Sequence, residues 1–392
     1  MGQLTQTRIA YRTLALTAGR HRGTRVAAGG VRLVSPRGVR EYADPYAQSA
    51  VRRPFAHATW TSPPTIPGFA FNELVATWHA QTPDSSWVEV AARVRPARAA
   101  GWSGWLVLAR WADNDTGLHP ASVPVPADEL TSVAADTVRV SGGAHAWQLR
   151  VTLLRPEPAA GDGPLLTYAG AMVSSVGSHA RATSAPGSGA GRVLDVPAFS
   201  QRIHAGHCPQ WGGGGEVWCS PTSIAMLLAY WGTGPDVDAI SWVDPAYPDR
   251  TVYHAVRHCW DHAYGGAGNW SFNAAYAARF GLRTFVTRLR DLTEAETFIA
   301  AGIPLVASVI VDPAALAGAD YGSEGHLVVL AGFTPDGDVV VNDPAAHNLA
   351  TLRRVYARGD FERAWVGGSG GLVYVIHPPA VPLPARPAEP NW

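Results

Sequence analysis

The sequence predicts a multidomain protein, an all-β antiparallel sandwich at the N-terminal end followed by an α+β domain. Three observations carry this. Between residues 24 and 176 apolar runs recur with turn residues between them and no helical spacing. Residues 174–192 read SSVGSHARATSAPGSGAGR, which holds almost no large apolar side chain and so has little to offset the entropy of ordering its backbone. Beyond that stretch, apolar residues fall in turn at helical and at strand spacing. The expected boundaries are 1–175 for the sandwich, 176–192 for a Gly/Ser/Ala-rich flexible linker, 193–378 for the α+β domain and 379–392 for a Pro-rich tail. A chain of 392 residues, 47% hydrophobic and 16% charged, is long and apolar enough for two cores.

In the first domain, strands are expected at residues 69–79, 87–95, 102–111, 133–140, 146–154 and 165–173. Several alternate apolar with polar residues, as in Trp87-Val88-Glu89-Val90 and Gln148-Leu149-Arg150-Val151-Thr152-Leu153, the period of a half-buried strand. Thr82-Pro83-Asp84, Asp113-Asn114-Asp115 and Ser141-Gly142-Gly143 supply turns. In the second domain Ile224, Leu227, Leu228 and Trp231 define a helix over 221–231. Further helices are expected at 272–280, stopped by Gly281, and at 292–301, stopped by Gly302 with Pro304 beyond. Strands follow at 305–311, 326–333, 339–342 and 372–376, with Asp336-Gly337 joining the middle pair as a hairpin. The last residues, PPAVPLPARPAEPNW, read as extended or disordered.

Composition excludes several chemistries. All 31 basic residues are Arg, against 31 acidic ones, so Schiff-base chemistry and a phosphate-loop lysine are absent. The zero net charge gives no overall field for nucleic acid or an anionic membrane. It hides an asymmetry: residues 1–56 carry ten Arg against Glu41 and Asp44. No run near the start reaches the roughly 7–15 apolar residues of a signal-peptide core, and no window reaches the roughly 18 of a membrane span. A cytoplasmic location is the default expectation, with secretion by another route left open.

Cys208, Cys219 and Cys259 are the cysteines. In Trp218-Cys219-Ser220-Pro221, Ser220 suits a helix N-cap and Pro221 the first helical position, which puts Cys219 at a helix N-terminus, where the dipole and free N–H groups favour a thiolate and an adjoining oxyanion. A thiolate nucleophile needs a base and a group to orient the base. His326 opens an apolar strand and Asp343 closes the next, so hairpin pairing brings the two together at one end of a sheet.

The segments LDVPAFSQ, WCSPTSIAMLLAYWG, GHLVVLAGF and VVVNDPA resemble the bacteriocin-processing (double-glycine leader) cysteine peptidases and their papain-like relatives, over about residues 193–377. The resemblance implies a papain-like fold, Cys219 as nucleophile, His326 as general base and acid, Asp343 as its orienting group and Gln201 as oxyanion donor, with a peptide or amide substrate and no cofactor. In this sequence Ser220 follows Cys219 where the family usually has Gly, and Gln210 lies nearer Cys219 than Gln201 does. Without a lysine no ATPase loop exists to couple cleavage to export.

Two rival readings stand beside the peptidase: a cell-wall amidase or acyl transferase with the same three residues, and a non-catalytic glycan-binding protein. The second rests on Trp60, Trp78, Trp87, Trp102, Trp105, Trp111 and Trp147 forming a sugar-stacking surface on the sandwich. His204, His207, Cys208, His254, His258, Cys259 and His262 are concentrated metal-ligand types, but their spacing matches no familiar zinc site, and no metal is expected. Either a Cys208–Cys259 disulfide leaves Cys219 spare, or all three thiols are free. The glycine run 212–215 has no following Lys and reads as a flexible rim.

Overall fold

The computed structural model describes residues 7–124, 128–158, 161–177 and 182–392. The protein has two compact units. One gathers Arg8–Ser175 with Trp260–Gly265, the other Val176–Cys259 with Gly266–Trp392. The short stretch Trp260–Gly265, expected within the C-terminal domain, therefore belongs with the N-terminal unit: the Asp261 carboxylate accepts from the Ser122 N–H (2.9 Å), and the His262 N–H donates to the Pro120 carbonyl (3.0 Å).

The N-terminal unit is antiparallel β throughout. Its described strands form one hydrogen-bonded network of thirteen, and the long strand Thr137–Pro156 is the reason. The first part of that strand pairs with Thr131–Ala134 and Phe71–Gln81, and the remainder with Trp87–Pro96 and Arg52–Thr61. The register with Phe71–Gln81 breaks between Arg139 and Ala144, at Gly142 and Gly143, both left-handed (φ +72° and +81°), a conformation glycine adopts without strain. The expected strands 133–140 and 146–154 are thus reorganised. The first contains a tight turn at Ala135, and its end is continuous with the second.

Trp60, Trp78, Trp87, Trp111 and Trp147 lie fully inside this unit. Burial of their large apolar surface explains their number and removes them from the sugar-stacking surface that the sequence suggested.

The C-terminal unit is α+β. Its six-stranded antiparallel sheet runs Arg283–Arg288, Leu372–His377, Leu305–Val311, Ser323–Phe333, Val339–Asn342 and Arg353–Tyr356. The helix Cys219–Tyr230 packs on strand Ser323–Phe333 and against the helices Arg250–Cys259 and Trp270–Ala278. Every residue from 219 to 228 is buried, so this helix is enclosed on all sides, as its Ala, Met and Leu content permits. Gly232, left-handed at φ +65°, ends it, its N–H reaching the Ala229 carbonyl. No helix among the described residues is long and apolar enough to cross a membrane.

Three expectations change here. The helix begins at Cys219 with Trp218 as N-cap, so Ser220 is an inside residue rather than the cap, and its hydroxyl lies 3.0 Å from the Tyr374 hydroxyl.

The described part of the expected linker is docked, not free. Gly187 and Gly189 donate their N–H groups to Glu296 (2.6 and 3.0 Å), Ser184 donates to Glu362 (2.8 Å), and Arg358 reaches Ser184 and Glu296. A Cβ at Gly189 would meet Glu296 at 2.9 Å, so the small residues allow close approach. Residues 178–181 lie outside the described residues.

The Pro-rich tail is pinned at its end. Trp392 is buried against Phe298 (5.0 Å between ring centroids), and Asn391 donates to the Arg288 carbonyl (2.8 Å) and to Glu294 (2.8 Å).

Candidate active site

Two elements deliver the chemistry-bearing side chains. Cys219 opens its helix, and the N–H groups of a first turn have no partner within the helix. His326 sits in strand Ser323–Phe333, paired across to Val309. The neighbouring strand Val339–Asn342 matches Asn342 to Val329, which sets Asp343 one step further along and diagonal to His326, not directly opposite. Diagonal neighbours on one face are still within reach of long side chains. The hairpin between them closes at Gly337 (φ +88°), with the Gly337 N–H on the Thr334 carbonyl.

His326 Nε2 lies 2.8 Å from Asp343 Oδ1. Cys219 acts on the same imidazole, the two side chains shifting each other's proton affinity. Since Nε2 is taken by Asp343, Nδ1 is the nitrogen left for the thiol. His326 and Asp343 are 3% and 0% exposed and Cys219 is 9% exposed.

The charges oppose what burial alone would impose. Desolvation would push the Cys219 thiol up, but the hydrogen bond and charge of His326, with backbone bonds at Leu327 and Ser220, bring it below its ordinary value. Desolvation would likewise lower His326, yet Asp343 and Cys219 raise it to about 9. Burial would raise Asp343, and bonds from His326, Tyr321 and the Ala345 N–H hold it below the usual carboxylate range. The three shifts all favour the charged forms: thiolate, imidazolium and carboxylate.

Tyr321 was not singled out from the sequence. Its hydroxyl donates to Asp343 Oδ2 at 2.8 Å, and its ring stands edge-on to His326 with centroids 5.3 Å apart. Burial and the Asp343 charge keep that phenol far above its ordinary value, so it stays a donor. Arg354 Nε lies 3.5 Å from the same carboxylate oxygen, and its guanidinium pairs with Asp320 at 2.8 Å.

Gln201 is 1% exposed, and its Oε1 is buried without a partner. Its N–H donates to the Pro344 carbonyl at 2.9 Å, which ties it beside Asp343. The carbonyl of Gln201 accepts from the Gly215 N–H at 3.2 Å. Gln210 is exposed. All four glycines 212–215 are left-handed, with φ between +64° and +78°, a run that residues with a Cβ would hardly tolerate. The Gly206 N–H reaches the Gly213 carbonyl at 2.7 Å, so this expected rim is a fixed turn between Gln201 and Cys219.

The other candidates disperse. All three thiols are free: Cys208 packs beside the Trp218 and Tyr253 cluster, while burial drives the Cys259 thiol well up at the end of its helix, so the disulfide alternative is not realised. No metal-binding cluster of His, Cys, Asp and Glu exists among the described residues. The histidines instead use their Nδ1 atoms internally, His204 and His207 on the Tyr253 hydroxyl (3.0 and 2.5 Å), His254 on the Tyr276 hydroxyl (2.9 Å), and His262 on the Pro120 carbonyl (3.0 Å).

Residues 193–371 match the Peptidase C39 like family, and residues 6–174 match the Peptidase C39 N-terminal domain. The chain belongs to the C39 peptidase family. No curated protein matches it. The C39 matches divide the chain as its compact units do except at Trp260–Gly265, and the match over 193–371 covers Cys219, His326, Asp343 and Gln201 together. Membership makes this a relative of cysteine peptidases, with peptides as the substrates the family implies.

Proposed function

We propose that the C-terminal domain is a papain-like cysteine peptidase with Cys219, His326 and Asp343 as its catalytic triad. The observation that carries this reading is the buried His326–Asp343 hydrogen bond (2.8 Å) beside Cys219 at its helix start, with the thiol drawn down and the imidazole raised to about 9. The Cys219 thiolate attacks an amide carbonyl carbon, and the carbonyl electron pair moves onto oxygen. That oxyanion is held by the Cys219 backbone N–H and the Nε2–H of Gln201, a buried side chain fixed through its backbone beside Asp343. His326 gives its Nδ1 proton to the leaving amine, leaving a thioester. Water then attacks the thioester, giving its proton to His326 and releasing the acid and the thiolate. Asp343, fixed by Tyr321, keeps the imidazole oriented through both steps.

Ser220 in place of the family's usual Gly fits this reading, since its hydroxyl is engaged with Tyr374. The test combines turnover of a peptide library with alkylation by iodoacetamide located by peptide mapping. Wild-type protein should be labelled at Cys219 and should cleave peptides, and Cys219→Ala should lose turnover by at least about 10⁴-fold while keeping its melting temperature. Folded wild-type protein left unlabelled at Cys219 contradicts the proposal. Turnover of peptidoglycan fragments but not peptides assigns the same triad to an amidase.

A further inference from the structure

The N-terminal unit holds an open cleft of about 1020 Å³, built by the outward faces of four strands. Period-two alternation puts Arg20 and Arg22 of strand Arg20–Arg22 in register with Thr61 and Thr59 of Arg52–Thr61. Thr61 is in turn opposite Arg150, and Gln148 is opposite Arg93 of Trp87–Pro96. With Arg37, five guanidiniums line the cleft, and no carboxylate does. None of the five has an acidic partner among the described residues.

The carboxylate whose charge favours the Arg150 cation is Glu89, already bound by Arg40 (3.0 Å) and Arg110 (3.2 Å). Burial first, then Arg40 and Arg93, work against the Arg150 charge. His57 is lowered by burial and by Arg40. Uncompensated like charge of this kind weakens a fold, so its retention calls for a counter-charge from outside.

The donors are also prearranged. Arg93 and Arg150 lie over the Trp105 ring, at 4.7 and 4.5 Å from its centroid, and Gln148 Oε1 accepts from Arg93 Nε at 2.9 Å. Buried polar atoms there lack partners: His21 Nε2, His57 Nδ1 and Arg150 Nε. Buried polar groups are ordinarily hydrogen-bonded, and guanidinium forks match phosphoryl oxygens bidentately. The cleft volume is that of a site for a sizeable ligand, well beyond one phosphate. We infer that this cleft binds a small ligand carrying two or more phosphoryl groups, a function separate from the peptidase site.

Isothermal titration calorimetry on the full chain at low salt tests this, with inorganic tripolyphosphate as probe and inorganic phosphate and citrate as comparators. Saturable one-to-one binding of tripolyphosphate is expected, at least about tenfold tighter than either comparator. Arg150→Gln should weaken it by about tenfold or more, as expected for loss of a charge-assisted bond, with no loss of melting temperature. Arg22→Gln, on the exposed rim, serves the same purpose should Arg150→Gln fail to fold. Absence of binding, an unchanged Kd in a folded variant, or citrate binding as tightly as tripolyphosphate overturns the inference.

Discussion

Around His326 every charge is closed against another. The thiol of Cys219 and the carboxylate of Asp343 flank the imidazole, Tyr321 and Arg354 cover the far side of the carboxylate, and His326 and Asp343 are almost wholly buried. The cleft of the N-terminal unit is the opposite case. Five guanidiniums share one space, and Glu89, whose charge acts on Arg150, is committed to Arg40 and Arg110. A self-neutralised cluster is stable before any substrate arrives and needs only a neutral amide to enter. A self-repelling one is completed by something brought to it. The same arithmetic of burial and charge thus separates the proposed site of chemistry from the proposed site of capture.

Breaking the closed cluster tests its half of the contrast. The largest effect after loss of the thiol belongs to Asp343→Asn, which removes the charge that raises His326 and should cut kcat by about 10³–10⁴-fold while circular dichroism shows the fold retained. Gln201→Ala should cost about 10²–10³-fold in kcat, the usual toll of one oxyanion donor, with little change in KM; a rise in KM with kcat unchanged would show that Gln201 only binds substrate.

The pH profile of kcat/KM should be bell-shaped. Its acid limb falls below the ordinary thiol range, because Cys219 is ionised there. Its alkaline limb lies near 9, where His326 loses the proton needed by the leaving amine. An activity that rises only through the ordinary thiol range would place Cys219 outside the influence of His326. Smallest is Tyr321→Phe, which keeps the ring beside His326 but deletes the bond to Asp343. A buried acceptor losing its donor costs about 1–3 kcal/mol, read as a lower melting temperature with a several-fold fall in kcat and unchanged KM. Loss of stability without any change in kcat would reduce Tyr321 to a packing residue.

Much of this was legible in the sequence where local pattern and tertiary role agree. Strands Leu305–Val311 and Val339–Asn342 fall where their β-branched runs place them. The segments carrying Cys219, His326 and Asp343 were found because a helix start and a hairpin of apolar strands are local features, although His326 lies inside its strand, which begins at Ser323, and does not open it. Elements with charged residues inside their pattern escaped: the helix Arg250–Cys259 and the strands Arg283–Arg288 and Arg353–Tyr356. His254 meets Tyr276, Arg288 the Ser369 carbonyl and Arg353 the Asn342 side chain, partners that no local window shows.

The tail shows the same limit, since its prolines read as unstructured while Asn391 and Trp392 are anchored by residues near position 290. Tyr321 carries no local mark at all. The Arg cleft was hidden for a related reason. The surplus of Arg in residues 1–56 was visible, but only strand pairing brings Arg20, Arg22 and Arg37 beside Arg93 and Arg150.

The central claim is that His326 holds Cys219 as a thiolate. The rate of alkylation of Cys219 by iodoacetamide, followed against pH by mass spectrometry, tests it most directly. In wild-type protein the rate should stay high well below the ordinary thiol value of roughly 8.5, and in His326→Ala the titration should move up to that value or beyond. An ordinary titration in the wild type, or one that His326→Ala leaves in place, would contradict the account.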